Sequence, residues 1–202
     1  MTARPASTGA VVRLRRGRVG DLGWMVHRQA VVYAKEFRYS QLFETYLHEG
    51  AALFLRDFDP KKDRIWVAEA EPQIAQMTQD DAARASAQSA TSSERPILGF
   101  VAIQHDPDRR GWAKLRWFLV EREARGDGVG GRLLKAAIAF SRKAGYKGIL
   151  LWTVDDLHAA RALYGKAGFT LAFQDPKPCA WAPWGHEQRW ERSLPPPPGR
   201  ST

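Results

Sequence analysis

The 202-residue chain is predicted to form an α/β domain with a mixed sheet. Short stretches alternate apolar and polar residues, as strands do, and longer stretches have the spacing of amphipathic helices. In the second half of the chain strands and helices alternate, which indicates a parallel strand pair joined by a helix. No apolar run approaches the ~18 residues that a membrane span requires, so we expect no membrane partner.

The predicted elements follow in chain order. The first half contains a strand at 11–16, helices at 21–35 and 39–56, and strands at 64–70, 97–104 and 113–120. The second half contains a glycine-rich turn at 126–131 that opens a helix, a strand at 148–154, a helix at 156–167, a strand at 169–174, a loop at 176–185 and a strand at 187–193. Gly145 and Gly168 are expected to end the two helices as the left-handed residue after the C-cap. The strands at 113–120 and 148–154 should be parallel neighbours.

Composition predicts a single domain at 11–194 with a solvated insertion. Residues 71–95 are rich in Ala, Ser, Gln, Thr and Asp, which is typical of a low-complexity insertion. Residues 1–10 are predicted to be a disordered tail, and residues 195–202 a Pro-rich tail. The Arg-rich start of the chain is open to two interpretations, a transit peptide or the solvent face of the first strand, and we favour the strand. Without a signal-peptide hydrophobic stretch, a cytoplasmic location is expected.

The chain is strongly basic, with a formal net charge of +9. Such a charge suggests an anionic partner, which could be a nucleic acid, an acidic membrane surface or a phosphorylated small molecule. The segment from Arg109 to Lys147 contains eleven Lys and Arg against three acids. A single Cys excludes a disulfide framework and a Cys-based zinc site, and no metal is predicted.

The most informative segment is the glycine turn, defined as residues 126–131, where four glycines lie between a strand and a helix. Glycines let the backbone approach a ligand, and the amides of a helix N-terminus favour a phosphate. The segment also matches the dinucleotide pattern G-x-G-x-x-G, but about 70 residues follow it, too few for the rest of a doubly wound sheet. No Gly-Lys-Ser/Thr sequence occurs, which excludes a P-loop.

Two motifs resemble those of the GNAT superfamily of N-acetyltransferases. Arg125-x-x-Gly128-x-Gly130 resembles the family's [Gln/Arg]-x-x-Gly-x-Gly/Ala signature, with Arg122 where a Pro is common in the preceding segment. The segment 163–169, Leu-Tyr-Gly-Lys-Ala-Gly-Phe, resembles the family's L-Y-x-K-x-G-F signature. The resemblance covers about residues 11–194. The chain also resembles the acetyltransferase half of bacterial proteins that carry a MarR-type regulator domain. It implies a central, mostly antiparallel sheet with a splayed parallel strand pair, flanked by helices.

The resemblance implies an acetyl-CoA-dependent N-acetyltransferase. Such an enzyme moves the acetyl group to a primary amine by direct attack through a tetrahedral intermediate. Tyr164 is the expected general acid, because a hydroxyl that stays protonated at neutral pH can protonate the leaving thiolate. The expected acetyl-CoA contacts are Leu119, Val120, Arg125, Gly126, Asp127, Gly128, Val129, Gly130, Gly131 and Arg132.

The acceptor side is less well defined by sequence. Trp24, His27 and Tyr33 are predicted to line the acceptor site, although their spacing fits a core-facing helix equally well. The acceptor could be a free amino acid, a polyamine, a drug amine or a protein lysine. Whether the chain forms a homodimer is also left open.

The general base is not identified by sequence. Family members often carry a carboxylate early in the strand at 113–120, where this chain has Lys114. His27, His105, Glu36 and Glu69 are the candidates, each acting through water, unless the amine arrives already neutral. The missing carboxylate motivates an alternative function, a non-catalytic acyl-CoA sensor of the same fold. A basic nucleic-acid-binding module ranks last, since aromatic and basic residues do not interleave as in RNA-binding sheets.

Overall fold

The computed structural model describes residues 11–71 and 95–195. The strands are β1 (Val12–Arg16), β2 (Arg64–Ala70), β3 (Ile97–His105), β4 (Trp112–Val120), β5 (Gly148–Val154), β6 (Thr170–Cys179) and β7 (Ala182–Ser193). The helices are α1 (Asp21–Phe37), α2 (Gln41–Arg56), α3 (Val129–Lys143) and α4 (His158–Lys166), with a short 3-10 turn at Arg122–Ala124. The predicted N-terminal tail, nearly all of the 71–95 insertion and nearly all of the Pro-rich tail lie outside the described residues.

The strands form one mixed sheet in the order β1-β2-β3-β4-β5-β7-β6. Every neighbouring pair is antiparallel except β4 and β5, which are parallel and joined by α3. The prediction that the strands at 113–120 and 148–154 are parallel neighbours is therefore confirmed. The mixed α/β fold class is also as predicted.

Two hydrophobic cores cover the two faces of this sheet. On one face α3 and α4 pack through residues such as Leu133, Ala137 and Tyr164. On the other face α1 and α2 pack through residues such as Met25 and Phe54. Neighbouring residues of a strand point to opposite faces, so each strand of the middle of the sheet contributes to both cores.

The C-terminal hairpin differs from its prediction. Residues 176–185 were expected to form a loop, but most of them belong to β6 and β7, which meet in a tight turn. Pro176 and Pro178 suggested a loop because proline lacks the N–H that a strand ladder uses. β6 is the edge strand of the sheet, and an edge strand tolerates missing donors on its open side.

The glycines after α3 and α4 end these helices as predicted. Gly145 and Gly168 both have a φ of 79°, directly after the C-cap residues Ala144 and Ala167. None of the helices in residues 11–71 and 95–195 is long and apolar enough to cross a membrane.

Candidate active site

The parallel strands β4 and β5 pair along only part of their length. Their pairing ends at Leu115 and Leu151, although β4 continues to Val120 and β5 to Val154. Beyond these pairs the strands diverge and leave an opening in the sheet, which we call the β4–β5 gap. Along the gap, the facing backbone edges of β4 and β5 make no hydrogen bonds to each other.

A β-bulge in β4 lies where the gap begins. Ala102 of β3 lies opposite Arg116, whereas Phe100 lies opposite Leu119, so β4 has one extra residue between these pairs. Within this stretch Trp117 has a left-handed φ of 47°. A bulge disrupts pairing and increases local twist, which accounts for the departure of β4 from β5.

The bulge also changes which side chains face α2. Without it, Arg116 and Trp117 would point to opposite faces of the sheet. In the structure both point toward α2: the Trp117 ring packs 5.2 Å from that of Phe54, and the Arg116 guanidinium lies against Gly50. Leu115 belongs to the core on the α3 face, so regular alternation already places Arg116 on the α2 face, and the bulge turns the Trp117 indole to that same face.

A cavity of about 350 Å³ occupies the β4–β5 gap. Residues from both faces of the sheet line it, because the sheet is open here. The lining consists of Gln29, Tyr33, Tyr39, Phe43, Tyr46, Leu47, Lys114, Leu115, Arg116, Trp117, Phe118, Trp152, Thr153, Val154, Leu157, Tyr164, Trp181 and Glu187. Half of these residues are aromatic, and three are charged: Lys114, Arg116 and Glu187.

Tyr164 of α4 borders this cavity from the side of α3. Its ring packs 5.9 Å from Phe118 of β4 and 6.0 Å from Phe169, and the residue is 5% exposed. Burial in this apolar setting raises the pKa of Tyr164 well above its usual value. The hydroxyl is therefore protonated at neutral pH, which is the state that a proton donor needs.

The glycine turn adjoins the same gap. Gly126 and Gly128 have left-handed φ values of 93° and 77°, and a Cβ added at either residue would meet no atom within 4 Å. Gly130 serves packing instead, since an added Cβ would lie 3.1 Å from Leu163 and 3.3 Å from Phe118. Within the described ranges, the amides from Gly126 to Gly131 donate no hydrogen bond to a turn or loop acceptor. These amides are available to a phosphate.

Comparison with known proteins agrees with this geometry. A model of the acetyltransferase (GNAT) family matches residues 33–169, which is more than half of the chain. The chain belongs to the GNAT acetyltransferase family. As a member of this family it is an acyltransferase.

Solved GNAT structures share the fold of this chain at low sequence identity. A GNAT acetyltransferase from Staphylococcus aureus Mu50 has a TM-score of 0.62 and 15% identity, covering 92% of this chain and 100% of that chain. A GCN5-related N-acetyltransferase from Kribbella flavida has a TM-score of 0.62 and 18% identity, covering 91% and 98%. A chimera of the Vibrio cholerae spermidine N-acetyltransferase and hSSAT has a TM-score of 0.58 and 18% identity, covering 90% and 95%. No curated protein sequence matches the chain.

The two arginines predicted to contact acetyl-CoA in this GNAT chain are engaged with protein groups. Arg125 donates to the Val120 carbonyl at 3.0 Å and to the Glu36 carboxylate at 2.6 Å. Arg132 donates to the Val12 carbonyl of β1 at 2.7 Å. The donors that the glycine turn offers are therefore backbone amides.

Leu119 and Val120 were both predicted to contact acetyl-CoA. In the structure their backbone groups face different ways. The amide of Glu121 donates to the Leu98 carbonyl of β3 at 2.9 Å. Because backbone groups of successive strand residues alternate in direction, Leu119 also presents its backbone to β3, and Val120 presents its backbone to the gap. Asp127 and Val129 complete the predicted set within the turn and at the first position of α3.

The three predicted acceptor residues lie in three different environments. Tyr33 lines the cavity, where burial raises the pKa of its hydroxyl to about 12. Trp24 lies instead beside a separate pocket near Arg15 and Glu69, with its ring against Phe100. His27 is exposed and lines neither pocket. The structure thus brings one of the three to the gap.

The sequence-based base candidates all lie away from the cavity. Glu36 binds Arg125, Glu69 binds Arg15, and His105 contacts the buried Asp63 at 3.0 Å. Glu187 of β7, which sequence reasoning missed, does line the cavity. Burial raises the pKa of its carboxyl, with a further contribution from Asp175. The polar alternation of the last strand was visible in the sequence, but nothing local indicated that β7 lies beside β5 at the gap.

Proposed function

We propose that this GNAT protein transfers the acetyl group of acetyl-CoA to a primary amine, by direct attack through a tetrahedral intermediate. The observation that carries the proposal is the β4–β5 gap, whose cavity Tyr164 lines and beside which the glycine turn packs. Gly130 provides the link, because it packs against both Phe118 of β4 and Leu163, the neighbour of Tyr164.

The residues present fit acetyl-CoA. The free amides from Gly126 to Gly131 at the start of α3 suit a pyrophosphate, and the left-handed glycines leave open space beside it. The Val120 amide N–H and the β5 edge offer hydrogen bonds to an extended amide-bearing arm in the gap, while the Val120 carbonyl accepts from Arg125. When bound, acetyl-CoA supplies an activated thioester.

Tyr164 acts as the general acid. Its hydroxyl proton goes to the sulfur as the carbon–sulfur bond breaks, and the proton lost by the new amide nitrogen restores the tyrosine through solvent. Proton donation by a positioned group contributes roughly 10²- to 10⁴-fold to a rate. A backbone N–H of β4 at the gap stabilises the oxyanion that forms when nitrogen attacks.

The amine enters from the side of α1 and α2. Tyr33, Tyr39 and Phe43 form a continuous aromatic wall there, with ring centroids 5.0 to 5.3 Å apart. Such walls exclude water from the reacting groups and hold the apolar part of an acceptor. The sensor alternative rested on the absence of a carboxylate at Lys114, and Glu187 supports catalysis by providing a carboxylate in the same cavity.

Two measurements, made one after the other, test the proposal. Acetyl-CoA at millimolar concentration should raise the unfolding temperature of the protein, because a ligand that binds only the folded state stabilises it. A panel of amines with release of free CoA thiol as the readout should then give acetyl-CoA-dependent turnover. Stabilisation without thiol release for any amine supports the sensor, and no stabilisation contradicts both functions.

A further inference from the structure

Three side chains of the cavity wall carry a polar atom that has no hydrogen-bond partner within the described part of the chain. They are the indole N–H groups of Trp117 and Trp181 and the amide oxygen of Gln29. Buried polar groups are nearly always satisfied in native proteins. Each of these three atoms has almost no exposed surface, so it lies inside the cavity wall and does not face a bound molecule.

Arg116 provides a further unmatched donor in the same place. Its guanidinium makes a long contact with the Gln104 amide oxygen at 3.4 Å, and no carboxylate of the described residues lies within salt-bridge distance. The guanidinium lies between the rings of Trp117 and Tyr46, at 4.8 and 5.6 Å from their centroids. A guanidinium in such an apolar setting gains much from an anion, because it can donate two parallel hydrogen bonds.

A glycine in α2 makes room for this cation. A Cβ at Gly50 would lie too close to Nη2 of Arg116 for both atoms to keep their places. Glycine inside a helix costs about 0.5–1 kcal/mol relative to alanine. The helix therefore carries an unfavourable residue at the turn where the guanidinium rests, which leaves room for the guanidinium at the cavity wall.

Other cations around the gap are already neutralised. Lys114 lies 3.1 Å from Asp106 and 3.3 Å from Asp108. Arg125 is held by Glu36, and Arg28 by Glu121 through two hydrogen bonds of 2.6 Å. The contrast with Arg116 indicates that its charge is kept for a ligand.

Glu187 is the unmatched anion of the cavity. It pairs through the β-ladder with Val154, the last residue of β5, which places it beside the widening part of the gap. Among the residues that the structure describes, no Lys, Arg or His forms an ion pair with it. A carboxylate without a cation in a half-buried position suits an ammonium group.

We propose that the acceptor is a zwitterionic amine, in which an acid group binds Arg116 and the ammonium group faces Glu187. This inference deepens the proposed function and rests on it. Glu187 removes one proton from the ammonium and passes it to solvent, and the neutral amine then forms the new carbon–nitrogen bond.

The size and charge of the cavity favour this class over other amines. A volume of about 350 Å³ lies at the low end of small-molecule pockets, which suits a molecule of amino-acid size. A polyamine carries several positive charges, and it would meet Arg116 with only Glu187 to compensate. The aromatic wall contacts the apolar part of the acceptor.

The test compares amines that differ only in the acid group. The matched pairs are L-phenylalanine with phenethylamine, L-tryptophan with tryptamine, and L-leucine with isoamylamine, each assayed by acetyl-CoA-dependent thiol release. We expect kcat/KM to be about 10- to 100-fold higher for the acid-bearing member, as for hydrogen bonds to a charged group. Equal kcat/KM within the pairs would overturn the inference and leave the proposed function standing.

Variants then assign the preference to Arg116. Arg116→Gln should lower kcat/KM for the amino acids by ~10- to 100-fold, mainly through KM, and change the plain amines by less than ~3-fold. Gly50→Ala keeps the charge but displaces the guanidinium, and it should weaken the same preference even if Arg116→Gln folds poorly. Arg13→Gln removes an exposed charge on β1 and serves as the control with wild-type kinetics.

Glu187 is tested on both members of each pair. Glu187→Gln should lower kcat by roughly 10²-fold for acids and plain amines alike, with Glu187→Asp intermediate. An unchanged kcat removes Glu187 from the chemistry and contradicts the inference. The inference is also contradicted if no amino acid turns over and none stabilises the acetyl-CoA-bound protein. Absence of acetyl-CoA binding contradicts the proposed function itself.

Discussion

The two ends of the β4–β5 gap are built in different ways. At the glycine turn the available groups are backbone amides of six consecutive residues, 126–131. In the acceptor cavity they are side chains from α1, α2, β4, β5, α4 and β7, which are far apart in the chain. Backbone recognition depends on φ and on the absence of a Cβ, whereas side-chain recognition depends on charge and shape. The same substitution type should therefore have different consequences at the two ends.

Under the proposed function, this difference predicts which side chains can be replaced without loss of binding. A cofactor held by amides tolerates side-chain replacement as long as the left-handed residues stay glycine. An acceptor held by side chains changes with each of them. Substitutions at the two ends, and at the residue between them, can confirm or contradict this division.

The largest effect is expected at Tyr164, where the two ends meet. Tyr164→Phe should lower kcat by roughly 10²- to 10⁴-fold, because the general acid is lost, while acetyl-CoA affinity stays unchanged. Steady-state kinetics and calorimetric titration measure the two quantities. Tyr146→Phe is the matched control, since this buried tyrosine donates to the Lys62 carbonyl away from the cavity. Equal losses in both variants would remove Tyr164 from the mechanism.

The acceptor end should respond to pH through Glu187. Burial raises the pKa of this carboxyl above 4.5, so kcat/KM should fall about tenfold per pH unit once the pH drops below the raised value. This acid limb should disappear in Glu187→Gln. The raised pKa also means that ionised Glu187 lowers folding stability above its unfolded-state pKa, and this cost vanishes as the pH falls. Glu187→Gln should therefore unfold at a higher temperature than wild type at neutral pH.

The cofactor end should respond to backbone conformation. Gly128→Ala forces a side chain into a left-handed φ of 77°, which costs about 1–2 kcal/mol, and it should also weaken acetyl-CoA binding. Gly23→Ala is the control, because Gly23 lies inside α1 with nothing within 4 Å of a new Cβ. That substitution should stabilise the protein by about 0.5–1 kcal/mol. If urea unfolding shows that both substitutions change the free energy of unfolding in the same direction, the backbone argument is contradicted.

The smallest effect is expected for a side chain near the turn. Arg132→Gln loses the hydrogen bond to the Val12 carbonyl, worth about 0.5–1.5 kcal/mol of stability. Acetyl-CoA affinity should change by less than ~3-fold, since the guanidinium is engaged on β1. A tenfold or larger loss in calorimetric titration would place the side chain on the cofactor and break the division between the two ends.

The sequence predicted the glycine turn and its left-handed residues because their signals are local. Gly128 and Gly145 require left-handed backbone, and this requirement is visible in the sequence around them. Tyr164 was found through the motif around it, and it borders the gap as the proposed role requires. The sequence predicted that Arg125 and Arg132 contact the cofactor; the structure gives both guanidinium groups protein partners, and the Arg132→Gln titration tests that prediction for Arg132.

The acceptor end was largely out of reach of the sequence. Tyr33 lines the cavity, but Trp24 and His27 do not, because helical periodicity cannot say which apolar neighbour lies beyond a helix face. Glu187 was missed since its importance depends on β7 pairing with β5. The loop expected at 176–185 became a hairpin because an edge strand tolerates prolines.

By itself the sequence determined the order of the elements, the glycine turn and the family motifs. These depend on backbone preferences and on periodicities within about twenty residues of chain. Only the tertiary structure decided where β4 leaves β5, why Gly50 stands in the middle of a helix, and that Arg116 and Glu187 share one cavity without ion-pair partners among the described residues. Charge pairing and burial are set by contacts between residues distant in sequence, and the pattern along the chain does not contain them.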